Sequence, residues 1–207
     1  MVKNSLKYLI IGNSAGGIGA AEAIRLVDKS GLMAIVSDEP YPAYSRPLIS
    51  KHLAEGRPLE RMLFRPADFY DKNNVRTFLG KKVARLNVDK HTVELEEGIE
   101  IAWKKLLLAT GGLPIVPLIK GSERRGVFTF TTLDDAKAIG QCLNGTARAV
   151  VIGGGLIGVS VTEALLKRGV AVTIVEMKEW ILNTILDEAA AMMETAVLRK
   201  AGVDIQT

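Results

Sequence analysis

Two glycine-spaced turns carry the chemistry that this sequence can do. In YLIIGNSAGGIGAAEA, residues 8–23, Gly12, Ser14 and Gly17 stand at the spacing of the dinucleotide fingerprint G-x-G-x-x-G, with serine in the middle place. In AVVIGGGLIGVSVTEALLKRG, residues 149–169, Gly153, Gly155 and Gly158 match it fully. The first glycine of such a motif permits a tight turn, the second lets the backbone approach a pyrophosphate, and the third lets helix and strand pack closely. The helix that follows offers unpaired N–H groups and a partial positive charge to phosphate oxygens. A small residue is the minimum need at the second place, and Ser14 is small. An acid should lie further on to accept from a ribose. Glu176 does so 23 residues past Gly153, and Asp38 and Glu39 do so in the first copy.

The elements that must position these turns repeat as well. Tyr8–Ile11 reads as a buried strand, a helix runs to about Val27, Gly31 marks its stop, and LMAIVS is a second strand before Asp38. The later copy has strand Ala149–Ile152, helix Leu156–Arg168 and strand VAVTIVE, ending on Glu176. One glycine motif is weak, whereas two complete strand–turn–helix–strand–acid units are strong.

Between them, Pro40, Pro42 and Pro47 exclude a regular helix, and a short helix is predicted from Leu48 to its stop at Gly56. Residues 63–80 predict a helix, a loop and a strand. Residues 82–108 alternate with a turn at Asp89-Lys90-His91, the pattern of a small antiparallel meander. ATGG (109–112) ends its last strand, and Pro114 and Pro117 mark an extended connector. GVFTFTTLDDAKAIGQCL then predicts a strand running into a helix, with Thr132 and Asp135 spaced as a capping box. Met192 and Met193, at helical spacing with Ala196 and Val197, read as core, and Cys142 as packing. His52 is expected to face solvent or a local carboxylate.

The fold class predicted is α/β: two Rossmann-like units with three-layer parallel sheets and a small meander. The expected segments are 1–118 for the first unit, 119–147 for the connector and 148–207 for the start of the second.

The bulk numbers exclude several classes. The 207 residues are 48% hydrophobic and 24% charged, with a net charge of +4 and both signs interspersed. The longest basic runs are pairs such as Arg124-Arg125 and Lys104-Lys105, so nucleic acid is not favoured. No apolar run approaches the about 20 residues of a membrane span. Lys3 and Lys7 lead straight into a strand, without a signal-peptide core. A single cysteine excludes an internal disulfide. No metal-ligand spacing is present, and the expected setting is cytoplasmic.

The order of nucleotide unit, meander, ATGG, connector and second nucleotide unit resembles the N-terminal part of the pyridine nucleotide–disulfide oxidoreductases. YPAYSRPLISKHLAEG (41–56) is most similar to the branch without a reactive disulfide, which includes rubredoxin and ferredoxin reductases, NADH oxidases and the flavin module of nitrite reductase large subunits. The resemblance implies FAD and NADH as cofactors. Gly12, Ser14, Ala15, Gly16 and Gly17 would hold the FAD pyrophosphate, with Asp38 or Glu39 on the adenosine ribose, since Ser37 stands where many relatives place the acid. Arg46, Pro47 and Lys51 would lie along the flavin, with Lys51 supplying positive charge to its reduced form, and Thr110 and Gly111 would make the second FAD contact. Gly153, Gly155, Leu156, Ile157, Gly158 and Glu176 would hold NADH in preference to NADPH, with Lys178 close by.

The sequence departs from the family in three places. Leu48 stands where disulfide-using relatives carry a reactive cysteine, which excludes thiolate chemistry there. Ser160 replaces a glutamate that in many relatives pairs with the lysine at Lys51. The chain ends at Thr207, where relatives continue for roughly as long again, so it is expected to hold FAD weakly or with a second chain completing the fold. The implied activity is hydride transfer from NADH to FAD, with electrons passed to a redox protein, oxygen or a nitrite-reducing partner. The alternative is a non-catalytic nucleotide-binding fragment or split subunit.

Overall fold

Apolar runs such as YLII and MAIV lack the alternation of a half-solvated strand, and runs of that kind sit inside parallel sheets covered on both sides. The computed structural model describes residues 6–143, 145 and 148–207. Lys3 and the connector positions 144, 146 and 147 lie outside the described residues. The chain forms two compact units, one running to Ser45 and resuming over Leu59–Gly112, the other made of Arg46–Pro58 and Leu113–Thr207.

In the first unit, β1 (Leu6–Ile11) pairs in parallel with β2 (Met33–Ser37), and β2 with β3 (Val75–Leu79). The predicted meander forms as β4 (Val83–Asn87), β5 (Thr92–Leu95) and β6 (Glu100–Leu108). It is not separate, however. The nine residues of β6 pair antiparallel with β5 at their start and parallel with β1 beyond Trp103, giving one mixed six-stranded sheet in the order β3-β2-β1-β6-β5-β4. The sheet is therefore mixed rather than purely parallel, because one long strand serves both partners.

Each face of the parallel strands has its own core. Leu9, Ile11, Ala34 and Val36 pack with Val93, Leu95, Ile101 and Trp103 of the meander. Ile10, Met33 and Ile35 pack with Ile18 and Ala21 of α1 (Ala15–Val27) and with Phe69, which opens α3 (Phe69–Lys72). Trp103 is buried and stacks on His91, with ring centroids 4.5 Å apart and planes 8° from parallel. Arg25 is 7% exposed and donates to the carbonyls of Asn73 (2.6 Å), Asp28 (2.9 Å) and Asn74 (3.1 Å), tying the end of α1 to the turn before β3.

In the second unit, β7 (Arg148–Ile152), β8 (Ala171–Val175) and β9 (Asp204–Gln206) form a parallel sheet. Val151, Ile174 and Ile205 pack under α5 (Leu156–Lys167) and α6 (Glu188–Lys200) with Val159 and Leu198. On the opposite face Val150 is 65% exposed, Ile152 62% and Val175 42%. The short helix α2 (Ile49–Glu55), stopped by Gly56 at φ +68°, packs against α5 and against α4 (Leu133–Cys142). Residues 46–58 thus belong by packing to the second unit.

Three sequence expectations are corrected here. Residues 127–131 form no strand: the hydroxyls of Thr129 and Thr131 and the N–H groups of Thr131 and Thr132 all donate to the Asp135 carboxylate, closing a capping box with Thr132 instead of a ladder. Met192, Met193 and Val197 are exposed, because α6 buries its other face through Ala191, Thr195 and Leu198. Cys142 is exposed at the end of α4 and is not packing.

Candidate functional site

The first glycine loop is a tight turn that closes on its own backbone. Gly12 has φ +118°, and a Cβ there would lie 2.0 Å from the Ala109 carbonyl oxygen. A Cβ on Gly17 would lie 2.0 Å from the Gly12 carbonyl oxygen. Both glycines are thus required by close backbone approach. Ser14 is not in conflict with the turn: it is the N-cap of α1 at φ −125°, ψ −161°, an extended conformation open to any residue. Its side chain makes no cap hydrogen bond, so the first-turn amides of Ala15, Gly16 and Gly17 remain available to an anion. Thr110 follows Ala109 beside Gly12, and Gly111 takes φ +72°.

The second loop repeats this geometry. Gly153 has φ +99°, and a Cβ on Gly158 would lie 1.9 Å from the Gly153 carbonyl oxygen. Gly155 is the N-cap of α5 in an extended conformation, φ −75° and ψ −175°, again without a side-chain cap. Leu156 and Ile157 open the helix with exposed side chains. The Glu176 carboxylate accepts from the Gly154 N–H at 2.7 Å and from the Lys178 N–H at 2.9 Å, so it is oriented at the loop before any ligand arrives. The Leu182 N–H donates to the Gly154 carbonyl at 2.8 Å, and buried Ile181 lies so close that a Cβ on Gly154 would come within 2.6 Å of it.

Register aligns the two acids. Gly12 N–H donates to Val36 and Gly153 N–H to Val175, each at 2.8 Å, so Ser37 is the counterpart of Glu176. Asp38 is exposed, and Glu39, half-buried, accepts from the Tyr44 hydroxyl. Both acids follow the strand end, but neither occupies the place that Glu176 holds.

Arg46 donates to the Thr131 carbonyl at 2.7 Å, which fixes the start of residues 46–58 to the segment before α4. Pro47 and Lys51 lie on the same turn and helix, with Lys51 half-buried. Ser160 is half-buried on α5, and Glu163 is exposed on the same helix. His52 meets the Arg57 carbonyl at 2.7 Å through Nδ1, rather than a carboxylate. No cluster of metal-ligating side chains occurs among the described residues, and no helix there is long and apolar enough to cross a membrane.

Sequence reasoning missed Asn13. Its Nδ2 donates to the Tyr41 carbonyl at 3.1 Å, and its Oδ1 accepts from the Tyr70 hydroxyl at 2.8 Å. The Tyr70 oxygen in turn accepts from the Ala43 N–H at 2.9 Å. Burial pushes the Tyr70 phenol up, so it stays a neutral donor. The only sequence signal was an amide side chain where the second loop has glycine.

The same loop geometry thus occurs twice in the chain, each time between a parallel strand and a helix with uncapped N-terminal amides, and comparison with known proteins gives the family. The model of the family described as pyridine nucleotide-disulphide oxidoreductase matches residues 6–207, and the chain belongs to that family. It is 36% identical to the NADH-dependent phenylglyoxylate dehydrogenase subunit epsilon of Aromatoleum evansii, over 97% of this chain and 48% of that protein. It is 32% identical to rubredoxin-NAD(+) reductase of Pseudomonas putida, over 96% of this chain and 52% of that protein. The crystal structure of the covalent putidaredoxin reductase–putidaredoxin complex matches with TM-score 0.85 and 30% identity, over 99% of this chain and 50% of that one. The chain spans about half the length of these relatives.

Proposed function

We propose that this chain supplies the FAD- and NADH-binding elements of an NADH-dependent flavin oxidoreductase that passes electrons to a separate acceptor. The observation that carries the reading is the duplicated cradle: two loops in which the last glycine sits against the carbonyl of the first and the following helix keeps its N-terminal amides open. The residues present fit the groups. Gly12–Gly17 would take the FAD diphosphate, with Thr110 and Gly111 alongside and Asp38 or Glu39 on the ribose. Gly153–Gly158 would take NADH, whose ribose hydroxyls Glu176 would accept. Flavin held there would supply the two-electron redox chemistry. The protein's part is to bind, orient and provide charge. Glu176 is held by two backbone amides, so its carboxylate meets a 2′-phosphate with repulsion, which favours NADH over NADPH. Lys51 would place a positive charge toward reduced flavin.

Two relatives support a small redox protein as the acceptor: one is named a rubredoxin reductase, and another was crystallised with putidaredoxin. A small redox protein is therefore favoured over oxygen or a nitrite-reducing partner. A second reading, a nucleotide-binding subunit completed by another chain, is supported by the uncovered face of β7–β8–β9. One experiment separates them. Purified protein is titrated with FAD and then NADH under anaerobic conditions. Flavin absorbance that is retained and then bleached supports the oxidoreductase; NADH binding without flavin uptake supports the subunit.

A further inference from the structure

The two glycine loops solve one mechanical problem in different ways. A loop whose amides must converge on a diphosphate has to be held before the ligand arrives, or its ordering is charged against affinity. In the second unit the restraint is made by backbone and acid: Gly154 N–H to Glu176, Leu182 N–H to the Gly154 carbonyl, and Ile181 against Gly154. In the first unit Ser37 stands in place of that acid, and its hydroxyl accepts from the Glu39 N–H at 3.3 Å. The residue in the place of Gly154 is Asn13.

We infer that Asn13 is the positioning residue of the first loop, replacing with its side-chain amide the restraint that Glu176 gives the second. One end of the amide is held by the Tyr41 carbonyl and the other by the Tyr70 hydroxyl, which also takes the Ala43 N–H. Three segments are thereby joined: the glycine loop, the strap that follows Asp38 and Glu39, and α3. Asn13 has no need to touch the dinucleotide. It fixes the turn from which Ala15, Gly16 and Gly17 present their amides, and it holds the strap beside them. Tyr70 takes part as the donor that orients the amide. The inference rests on the assignment of the first unit to FAD.

The test uses the whole chain and two readouts. The first is amide hydrogen exchange without ligand, which reports local opening. Asn13→Ala should speed exchange at the hydrogen-bonded amides of Gly12, Ile18 and Ala43 while leaving α5 unchanged; equal protection in the variant overturns the inference. The second is FAD titration of the parent, Asn13→Ala, Asn13→Asp and Tyr70→Phe. Asn13→Ala should weaken FAD binding about tenfold through lost preorganisation, with unchanged NADH affinity, and its combination with Tyr70→Phe should cost little more than Asn13→Ala alone. In Asn13→Asp the carboxylate can no longer donate to Tyr41, so the loss should exceed that of Asn13→Ala at pH 8 and narrow only below about pH 4, as protonation restores a donor. The Asn13→Ala loss should be pH-independent. Unaltered FAD affinity in Asn13→Ala, or additive losses with Tyr70→Phe, overturns the inference. A parent chain that takes up no FAD counts against the flavin assignment instead, and hydrogen exchange then decides the role of Asn13.

Discussion

The parallel strands of the two units carry matching residues on one face in different surroundings. Leu9, Ile11 and Val36 on the first correspond by register to Val150, Ile152 and Val175 on the second. The first set lies under the meander, with Ile11 9% exposed; of the second set, Ile152 is 62% exposed. The same strand pattern is thus core in one unit and surface in the other. Apolar alternation specifies which side of a strand seeks cover, and a second layer has to provide it. An exposed apolar patch of this kind marks either an interaction surface or an aggregation hazard.

The largest contrast is expected at the first glycine of each loop. Gly12→Ala brings a Cβ 2.0 Å from the Ala109 carbonyl and must also hold φ +118°. Overpacking and left-handed strain together should cost roughly 3–5 kcal/mol. Gly153→Ala meets no atom and carries only the strain of φ +99°, worth about 1–2 kcal/mol. Urea denaturation of both variants measures the difference, and equal losses would show that strain alone governs both loops.

The sheet faces come next. Ile11→Ala should destabilise by roughly 2–4 kcal/mol, as a buried truncation does, and Ile152→Ala by under about 1 kcal/mol. Dye binding to exposed apolar surface should fall in Ile152→Ala and rise in Ile11→Ala. A cost at Ile152 as large as that at Ile11 would mean that the second face is covered in solution.

Glu176 tests the acid that the first loop lacks. On the proposed function, Glu176→Ala in flavin-loaded protein should narrow the expected preference for NADH over NADPH in kcat/KM by about 1–3 kcal/mol, the scale of a lost hydrogen bond to a charged group. An unchanged ratio removes Glu176 from ribose recognition. The smallest effect belongs to Asp135. Burial works to raise its carboxyl, but the N–H groups of Thr131 and Thr132 and the two threonine hydroxyls outweigh this and hold it below the ordinary carboxylate range. A carboxyl lowered on folding stabilises above its unfolded pKa of about 3.9 and loses that contribution as pH falls through the lower folded value. The stability gap between the parent and Asp135→Asn, about 1 kcal/mol by analogy with a cap, should therefore be constant near neutrality and close below about pH 4.

Much of the frame was legible because its signals are local. Glycine spacing, strand runs and the Thr132–Asp135 box each act within a few residues, and Ser14 takes an extended backbone that any residue adopts. What was not legible depends on distant partners. Helical spacing identified an apolar face at Met192 and Met193, yet α6 has another through Ala191 and Leu198, and only tertiary packing chose between them. Prolines marked where residues 46–58 break, but not that α2 packs on α4 and α5. At Asn13 the sequence shows only an amide in place of a glycine, because its partners, Tyr41 and Tyr70, lie far along the chain.

The two tryptophans give the molecule a built-in pair of optical reporters. Trp103 is buried in the first unit against the His91 ring, and Trp180 sits in the second beside Ile181, the residue pressed onto Gly154. With Trp103→Phe, fluorescence isolates the neighbourhood of the second loop; with Trp180→Phe, it isolates the meander. Melting, ligand uptake and acid titration can then be followed one unit at a time within a single chain, without any attached label.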